Sequence, residues 1–188
     1  MCELSTLIFT IKREIDSMHK DLTISETKFE SMVLIKSWPE TSENIASIII
    51  SYFELSSLPN VGAVLRHNDI YIASLLPGHY MIISDRQNLQ SELSKIITAE
   101  NAAVIDISHS RRGVHLKGVN ASLVLNKEIA IDLSNKAMPA NTVVQTDIHS
   151  IGVILFKFTA EDFLIFSYGS FFKSFYAWLI DATKEYES

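Results

Sequence analysis

The chain has 188 residues and a mass of 21.2 kDa, which fits one large domain or two small lobes. Its 47% hydrophobic and 20% charged residues are close to the averages of globular proteins and exclude a disordered chain. The net charge of −6, with no run of Lys or Arg longer than a pair, argues against nucleic-acid binding, because such binding depends on neutralised phosphates.

The cysteine content and the apolar stretches indicate where the protein works. The lone cysteine, Cys2, excludes a disulfide framework, as is typical of a reducing compartment. The mean hydropathy of +0.18 is high, yet the longest apolar stretches, 45–53 and 151–158, are far shorter than the ~20 residues of a membrane span. Residues 7–11 are too few for a signal-peptide core. We therefore expect a cytoplasmic protein that is neither exported nor inserted, with its apolar excess buried in the fold or against other subunits.

Hydrophobic spacing predicts short strands alternating with helices. Thr41 or Ser42 is expected to cap a helix whose apolar residues recur every three or four positions over 45–53. A capping box of Ser84 and Gln87 is expected to open the next helix, and Asn120 to cap a short one reaching residue 127. The predicted strands are 28–36, 64–66, 70–75, 80–83, 103–107, 114–117, 143–146, 151–157 and 163–167.

The last helix is rich in aromatic residues. It is predicted to open at Gly169 and to bury a stripe that includes Phe171 and Phe175. Phe172 and Tyr176 lie roughly 100° away from that stripe, so the helix is apolar on more than one face and needs a second neighbour. We take Phe172 and Tyr176 as candidate subunit-interface residues.

The order of these elements predicts the fold class. Helices mixed with many adjacent strand pairs favour an α+β fold over a doubly wound parallel sheet. We expect an N-terminal extension over 1–20, followed by one domain over 21–188. That domain divides into two intertwined mixed lobes of about 21–100 and 101–188.

Motifs for catalysis or metal binding are scarce. The six glycines are scattered and form neither a phosphate-binding loop nor a nucleophile elbow. The six histidines have no third metal ligand at matching spacing, so we interpret them as turn or surface residues. The sequence therefore predicts no catalytic, cofactor-binding or metal-binding residue on this chain.

The densest polar segment is 106–112, which reads DISHSRR. Its Asp, Ser and His could suggest a hydrolase, but triads are assembled from distant segments, and neighbouring strand residues point to opposite faces. We prefer a strand end whose polar groups cap a turn, followed by two exposed arginines. As a third option, Arg111 or Arg112 could bind a partner's carboxylate, because a guanidinium matches a carboxylate in bidentate fashion.

Several short motifs follow one another in a specific order. Residues 104–108 read VIDIS, 114–118 read VHLKG, and 76–80 read LPGHY. Ile131-Asp132-Leu133, Met138-Pro139 and Val144-Gln145-Thr146 follow, and the chain closes with FLIFSYGSFFKSFYAWLIDA over 163–182. From about Asp21 to Glu185, these motifs resemble those of one family, the gamma subunit of heterotetrameric sarcosine oxidase. Taken in the order given above, the corresponding patterns of that family are VVDVS, xxLxG, LGPDEWLLL, hDL…FP…xxT and FELxVxRSFAxxLWxWLxDA.

The resemblance implies a fold and a setting. The fold would be akin to the folate-binding domain of glycine-cleavage T-protein. The chain would be a small non-catalytic subunit of a complex that oxidatively demethylates sarcosine to glycine, alongside alpha, beta and delta subunits. FAD, FMN, NAD and tetrahydrofolate are implied on those partner subunits, with no cofactor on this chain. Such a subunit, expressed alone, is expected to expose an apolar patch or to self-associate.

A second hypothesis is an independent tetrahydrofolate-binding protein or an aminomethyltransferase-like enzyme. A folate pocket needs a buried carboxylate for the pterin and aromatic side chains to stack on it. Asp106 or Asp132, together with Tyr80, are the candidates for those roles. Titration with tetrahydrofolate separates the two hypotheses.

Overall fold

The computed structural model of the protein describes residues 22–186. Within that range the chain forms ten strands, arranged in two five-stranded antiparallel sheets, and four α-helices. The α+β fold class predicted from the sequence is confirmed. The predicted extension over 1–20 lies outside the described residues.

The first sheet contains strands from the first part of the chain and has the order β3-β4-β5-β2-β6. Its strands are β2 (Ser31–Ser37), β3 (Val64–His67), β4 (Ile70–Leu76), β5 (His79–Ser84) and β6 (Ala102–Asp106). The predicted strands 64–66 and 70–75 are confirmed and form a hairpin: β3 pairs with β4, and Asn68 in the turn adopts a positive φ of 51°.

The second sheet has the order β1-β7-β10-β9-β8. Its strands are β1 (Thr23–Thr27), β7 (Arg111–Lys117), β8 (Thr142–Ile148), β9 (Ile151–Thr159) and β10 (Asp162–Tyr168). The predicted strand over 114–117 is confirmed within β7, where Val114 and Leu116 are fully buried while His115 and Lys117 are not.

The chain crosses between the sheets twice. Residues 28–30 lead from β1 in the second sheet to β2 in the first, and residues 107–110 lead back from β6 to β7. The crossings are tied together, because the Ile107 N–H donates to the Met32 carbonyl over 2.8 Å. The division into lobes at about residue 100 stays a prediction.

Helices lie on the outer side of each sheet, and the sheets face each other. Helices α1 (Ser42–Tyr52) and α2 (Leu89–Ile96) pack on the first sheet, and α3 (Ala121–Leu125) and α4 (Gly169–Thr183) pack on the second. A third apolar cluster lies between the sheets and joins residues such as Met81 of β5 and Phe156 of β9. The molecule therefore has four layers, helix–sheet–sheet–helix, and burial of the three clusters stabilises it at roughly 25 cal/mol per Å² of apolar surface.

Several predicted boundaries and caps are wrong. Helix α3 ends at Leu125 and not at residue 127, and Thr41 and Asn120 stand at the N-cap positions of α1 and α3 without a side-chain capping bond. The strand predicted over 28–36 begins at Ser31, because residues 28–30 are used in the crossing. The capping box of Ser84 and Gln87 does not form. Instead, the Ser84 hydroxyl accepts from the Arg86 N–H over 3.0 Å, and α2 begins at Leu89 after a left-handed residue, Asn88.

The face assignment of α4 is also wrong. Phe171 is 53% exposed and Phe172 is 3% exposed, the reverse of the prediction. Phe172 continues along the helix into Phe175 and Leu179, both fully buried against the second sheet.

Candidate functional site where the chain crosses between the sheets

A cavity of about 350 Å³ opens where the two crossings meet. Residues 26–29, from the end of β1 onward, line one side, and Ser108, His109 and residues 111–113 line the other. Met32 and Phe166, both buried in the layer between the sheets, form its base. The cavity is thus built from the segment 106–112 together with a distant segment that sequence spacing did not connect to it.

Hydrogen bonds fix the turn that leads into β7. The Asp106 carboxylate accepts from the Ser108 N–H over 2.8 Å and from the Ser108 hydroxyl over 2.6 Å. The Ser108 hydroxyl oxygen accepts in turn from the Met32 N–H over 2.8 Å. The bond from the Ser108 hydroxyl lowers the pKa of Asp106 most, and the bond from the Ser108 N–H lowers it further. The segment is therefore the capped turn preferred in the sequence interpretation, with a serine hydroxyl already engaged by its neighbours.

Gly113 allows the base of the cavity to form. A Cβ atom at this position would lie 2.9 Å from the Phe166 ring and 3.0 Å from the Thr27 carbonyl oxygen, closer than nearly all Cβ atoms approach other atoms. Because Gly113 has no side chain, the Phe166 ring of β10 can lie against β7, and β1 can pair with the other edge of β7.

Arg111 lies half-buried at the cavity wall. Its Cζ atom is 3.5 Å from the centroid of the Tyr168 ring, on the strand paired with β7. Burial lowers the pKa of the Arg111 guanidinium, and the contact with Tyr168 acts in the opposite direction. Within residues 22–186, no carboxylate pairs with this guanidinium.

Arg112 points to the opposite face of the sheet, as alternation in a strand requires. Its guanidinium forms an ion pair with Glu26 of β1, including a 3.1 Å bond from Nε, and its Cζ lies 4.1 Å from the centroid of the Phe172 ring. Its side chain is 48% exposed, so this ion pair is in contact with water.

The two aromatic interface candidates have neighbours within the chain. Phe172 belongs to the core beneath α4, and its ring stacks on Tyr176 with 5.6 Å between centroids. Trp178 stacks similarly on His149, at 5.4 Å. The second apolar face of α4 is therefore largely covered by this chain, and Phe171 is the exposed phenylalanine of that helix.

The three residues considered for a folate pocket are not brought together at the cavity. Tyr80 is 8% exposed inside the cluster beneath α1 and α2, and burial raises its pKa. Asp106 lies at the end of β6, in the same sheet as Tyr80. Asp132 lies in the loop before β8, where its carboxylate accepts from the Ser134 N–H and hydroxyl.

A buried lysine, which the sequence analysis did not single out, holds that same loop. The side chain of Lys157 on β9 has no exposed surface. Its Nζ donates to the Leu133 carbonyl over 2.6 Å, the Met138 carbonyl over 2.7 Å and the Asn135 side-chain oxygen over 3.0 Å. Three donors thus meet three acceptors, and burial lowers the pKa of the amine.

His115 contacts a carboxylate on the neighbouring strand. His115 Nε2 lies 2.6 Å from an oxygen of Asp162, and Lys117 Nζ lies 3.4 Å from the other oxygen. Burial lowers the pKa of His115 more than the bond to Asp162 raises it. In the part of the chain that the structure describes, no group of three or more His, Cys, Asp or Glu side chains is placed to hold a metal ion.

Comparisons of the fold with solved structures define its class first. The chain is similar to the glycine cleavage system aminomethyltransferase T from Bartonella henselae, with a TM-score of 0.61 and 15% identity over 85% of this chain. It spans 45% of that protein's length. The prediction of a fold resembling glycine-cleavage T-protein is confirmed.

The more particular likeness is to a chain of the heterotetrameric sarcosine oxidase from Corynebacterium sp. U-96, solved in complex with pyrrole 2-carboxylate. The TM-score is 0.79 and the identity 24%, over 92% of this chain and 89% of that chain. The resemblance stated from the sequence is thus confirmed as a likeness of fold. No protein-family model matches the sequence, and no curated protein matches it. Among the described residues, the longest helices are too short or too polar to cross a membrane.

Proposed function

We propose that this chain is a gamma-type subunit of a cytoplasmic heterotetrameric sarcosine oxidase, which oxidatively demethylates sarcosine to glycine. The observation that carries the proposal is the extent of the match. A TM-score of 0.79 over 92% of this chain and 89% of the other means that the two have nearly the same size and the same fold throughout. A partner-dependent role is consistent with that correspondence.

In this proposal the chemistry belongs to the larger subunits. FAD, FMN, NAD and tetrahydrofolate are held by alpha, beta and delta subunits, and this chain contributes structure and docking without a cofactor of its own. A structural role for Ser108 is consistent with this assignment, because its hydroxyl donates to Asp106 and accepts from the Met32 N–H, which fixes the turn between β6 and β7.

Docking requires exposed apolar side chains, and the described part of the chain has several. Val119 is 63% exposed, Phe171 53% and Leu123 50%. A large aromatic ring at the start of α4 is the type of side chain that dominates binding energy at subunit interfaces. We therefore place a contact with a larger subunit at Phe171.

Co-purification from the native host tests the function. A tagged copy is expected to recover larger subunits in fixed stoichiometry, with yellow flavin colour and sarcosine-dependent oxidation in the recovered material. Recovery of the chain free of flavoproteins, from cells that contain sarcosine-oxidising activity, contradicts the proposal.

A pair of variants on α4 tests the location of the contact. Phe171→Glu places a charge at the proposed interface and is expected to reduce recovery of the larger subunits about tenfold or more. Lys173→Glu, at an exposed position two residues away, is the matched control and is expected to leave recovery unchanged.

The second candidate function, a tetrahydrofolate-binding protein or aminomethyltransferase-like enzyme, is favoured by the likeness to aminomethyltransferase T. The position of Tyr80 weighs against it, because this ring is enclosed in the cluster beneath α1 and α2 and does not line the cavity. Saturable binding of tetrahydrofolate to the isolated chain, reduced by Tyr80→Phe or Asp106→Asn, would favour this candidate over the docking subunit.

A further inference from the structure

The cavity between the crossings contains a half-buried cation, Arg111. The Arg111 guanidinium is half-buried and contacts the Tyr168 ring, and no carboxylate of residues 22–186 pairs with it. Removing a cation from water without a counter-ion costs free energy. An anion that entered the cavity would recover part of that cost.

The other charged side chains around the cavity reinforce this preference. Lys28 also lines it, whereas Arg112, whose side chain points to the opposite face of the sheet, and Glu26, the one acidic lining residue, together add no net charge. Glu26 is already engaged by Arg112. The cavity is therefore positive within a protein whose net charge is −6, and a negative ligand is favoured there over a neutral one.

The remaining walls are apolar. Phe29, Met32 and Phe166 line the cavity, and Phe29 and Phe166 lie with their centroids 6.0 Å apart. The volume of about 350 Å³ is at the lower end of the range for small-molecule sites. Apolar walls beside a guanidinium that pairs with no carboxylate of residues 22–186 suit a small ligand that has an apolar body and one anionic group.

We propose that this cavity binds a small aromatic carboxylate, with its carboxylate on Arg111 and its ring against Phe29 and Phe166. The planar guanidinium offers two parallel N–H donors that match the two oxygens of a carboxylate. An inorganic phosphate carries more charge and no apolar part, so it matches the walls less well. An acidic segment of another protein would match Arg111 but not the small volume.

Titration of the 188-residue chain with benzoate, followed by ¹H–¹⁵N spectra, tests the site. We expect saturable shifts centred on the amides of Gly113 and Arg111. Benzamide, which has the same shape without the charge, is expected to bind at least tenfold more weakly, and inorganic phosphate likewise. This test needs no partner subunit, so its outcome is independent of the proposed function.

Two arginine variants provide the comparison. Arg111→Gln is expected to weaken benzoate binding about tenfold or more, because it removes a charge-assisted bidentate contact. Arg66→Gln is the matched control: Arg66 also lies over a tyrosine ring, that of Tyr71 at 5.6 Å, but does not line the cavity. It is expected to leave the affinity unchanged.

Several outcomes overturn the proposal. They are the absence of saturable benzoate shifts at Gly113, equal affinity in Arg111→Gln and the parent, and tighter binding of phosphate or of an acidic peptide than of benzoate. If Arg111→Gln lacks a cooperative thermal transition, Arg111→Lys replaces it. That variant keeps the positive charge but lacks the two parallel N–H donors of the guanidinium, so we expect its affinity for benzoate to fall at least threefold. An unchanged affinity would again overturn the proposal.

Discussion

Two cationic side chains of the second sheet, Lys157 and Arg111, are wholly or partly buried but differ in their hydrogen-bond partners. Lys157 is fully buried, yet each of its three donors has an acceptor in the loop 133–138. Arg111 is less buried, yet its described contact is an aromatic ring. A buried charge with a complete set of partners stabilises the fold, whereas one with an incomplete set indicates a place for a ligand.

The largest expected effect comes from the satisfied lysine. Lys157→Met preserves most of the side-chain volume but leaves the carbonyls of Leu133 and Met138 buried without a donor. We expect the free energy of unfolding to fall by about 3 kcal/mol, measured by urea denaturation. Lys173→Met, at an exposed position on α4, is the control, with an expected change below about 0.5 kcal/mol. A loss below about 1 kcal/mol in Lys157→Met would contradict the structural role of this lysine.

The next effect concerns the base of the cavity. Gly113→Ala brings a methyl group against the Phe166 ring and the Thr27 carbonyl, and the backbone oxygen cannot move away cheaply. We expect a loss of about 2 kcal/mol in the free energy of unfolding. In Gly152→Ala the new methyl group would be 3.5 Å from an Asp147 carboxylate oxygen, an ordinary contact. An equal response of the two glycines to alanine would show that Gly113 is not constrained by packing.

The unsatisfied arginine is expected to matter little for stability. Arg111→Gln removes a cation–π contact but also a charge that has no counter-ion, so the two changes largely cancel. We expect the free energy of unfolding to change by less than about 1 kcal/mol in the absence of ligand, measured by urea denaturation. A loss as large as that in Lys157→Met would remove the distinction between the two cations.

The smallest expected effect depends on pH. Burial lowers the pKa of His115 in the folded protein below the 6.5 of the unfolded chain, despite the bond to Asp162 and with Lys117 and Arg66 nearby. At pH values between the two pKa values, the unfolded state therefore binds more protons than the folded state. The free energy of unfolding falls as the pH decreases through 6.5 toward the pKa of the folded state.

This dependence is measured by denaturation at pH 7, 6 and 5. We expect His115→Gln to reduce the loss of stability over that range by a few tenths to about 1 kcal/mol. An NMR titration that places the pKa of His115 above 6.5 would contradict the expected direction.

Much of the fold could be predicted from the sequence because alternation and apolar spacing are local signals. The hairpin at Asn68 and the alternation of Val114 and Leu116 both follow such patterns. The faces of α4 could not be assigned this way. A stripe that begins at Phe172 and one that begins at Phe171 have equally regular steps of three and four residues, and packing against the sheet selects between them.

The candidate site was only half predictable for a related reason. Residues 106–112 stand out in the sequence, but Lys28 and Phe29 join them through strand order, which is a tertiary property. The buried lysine did leave a local signal. Lys157 continues the series of Val153 and Leu155, whose side chains alternate toward the core, so its position in β9 places a charge on the buried face.

The pairing of β1 with β7 has a consequence for how the protein is made. Thr23 lies opposite Lys117, so the first described strand is synthesised long before its partner exists. At typical rates of translation this interval is on the order of ten seconds. During that time the backbone amides and carbonyls of β1 have no partner strand in this sheet, so they are open to pairing with other chains until β7 emerges.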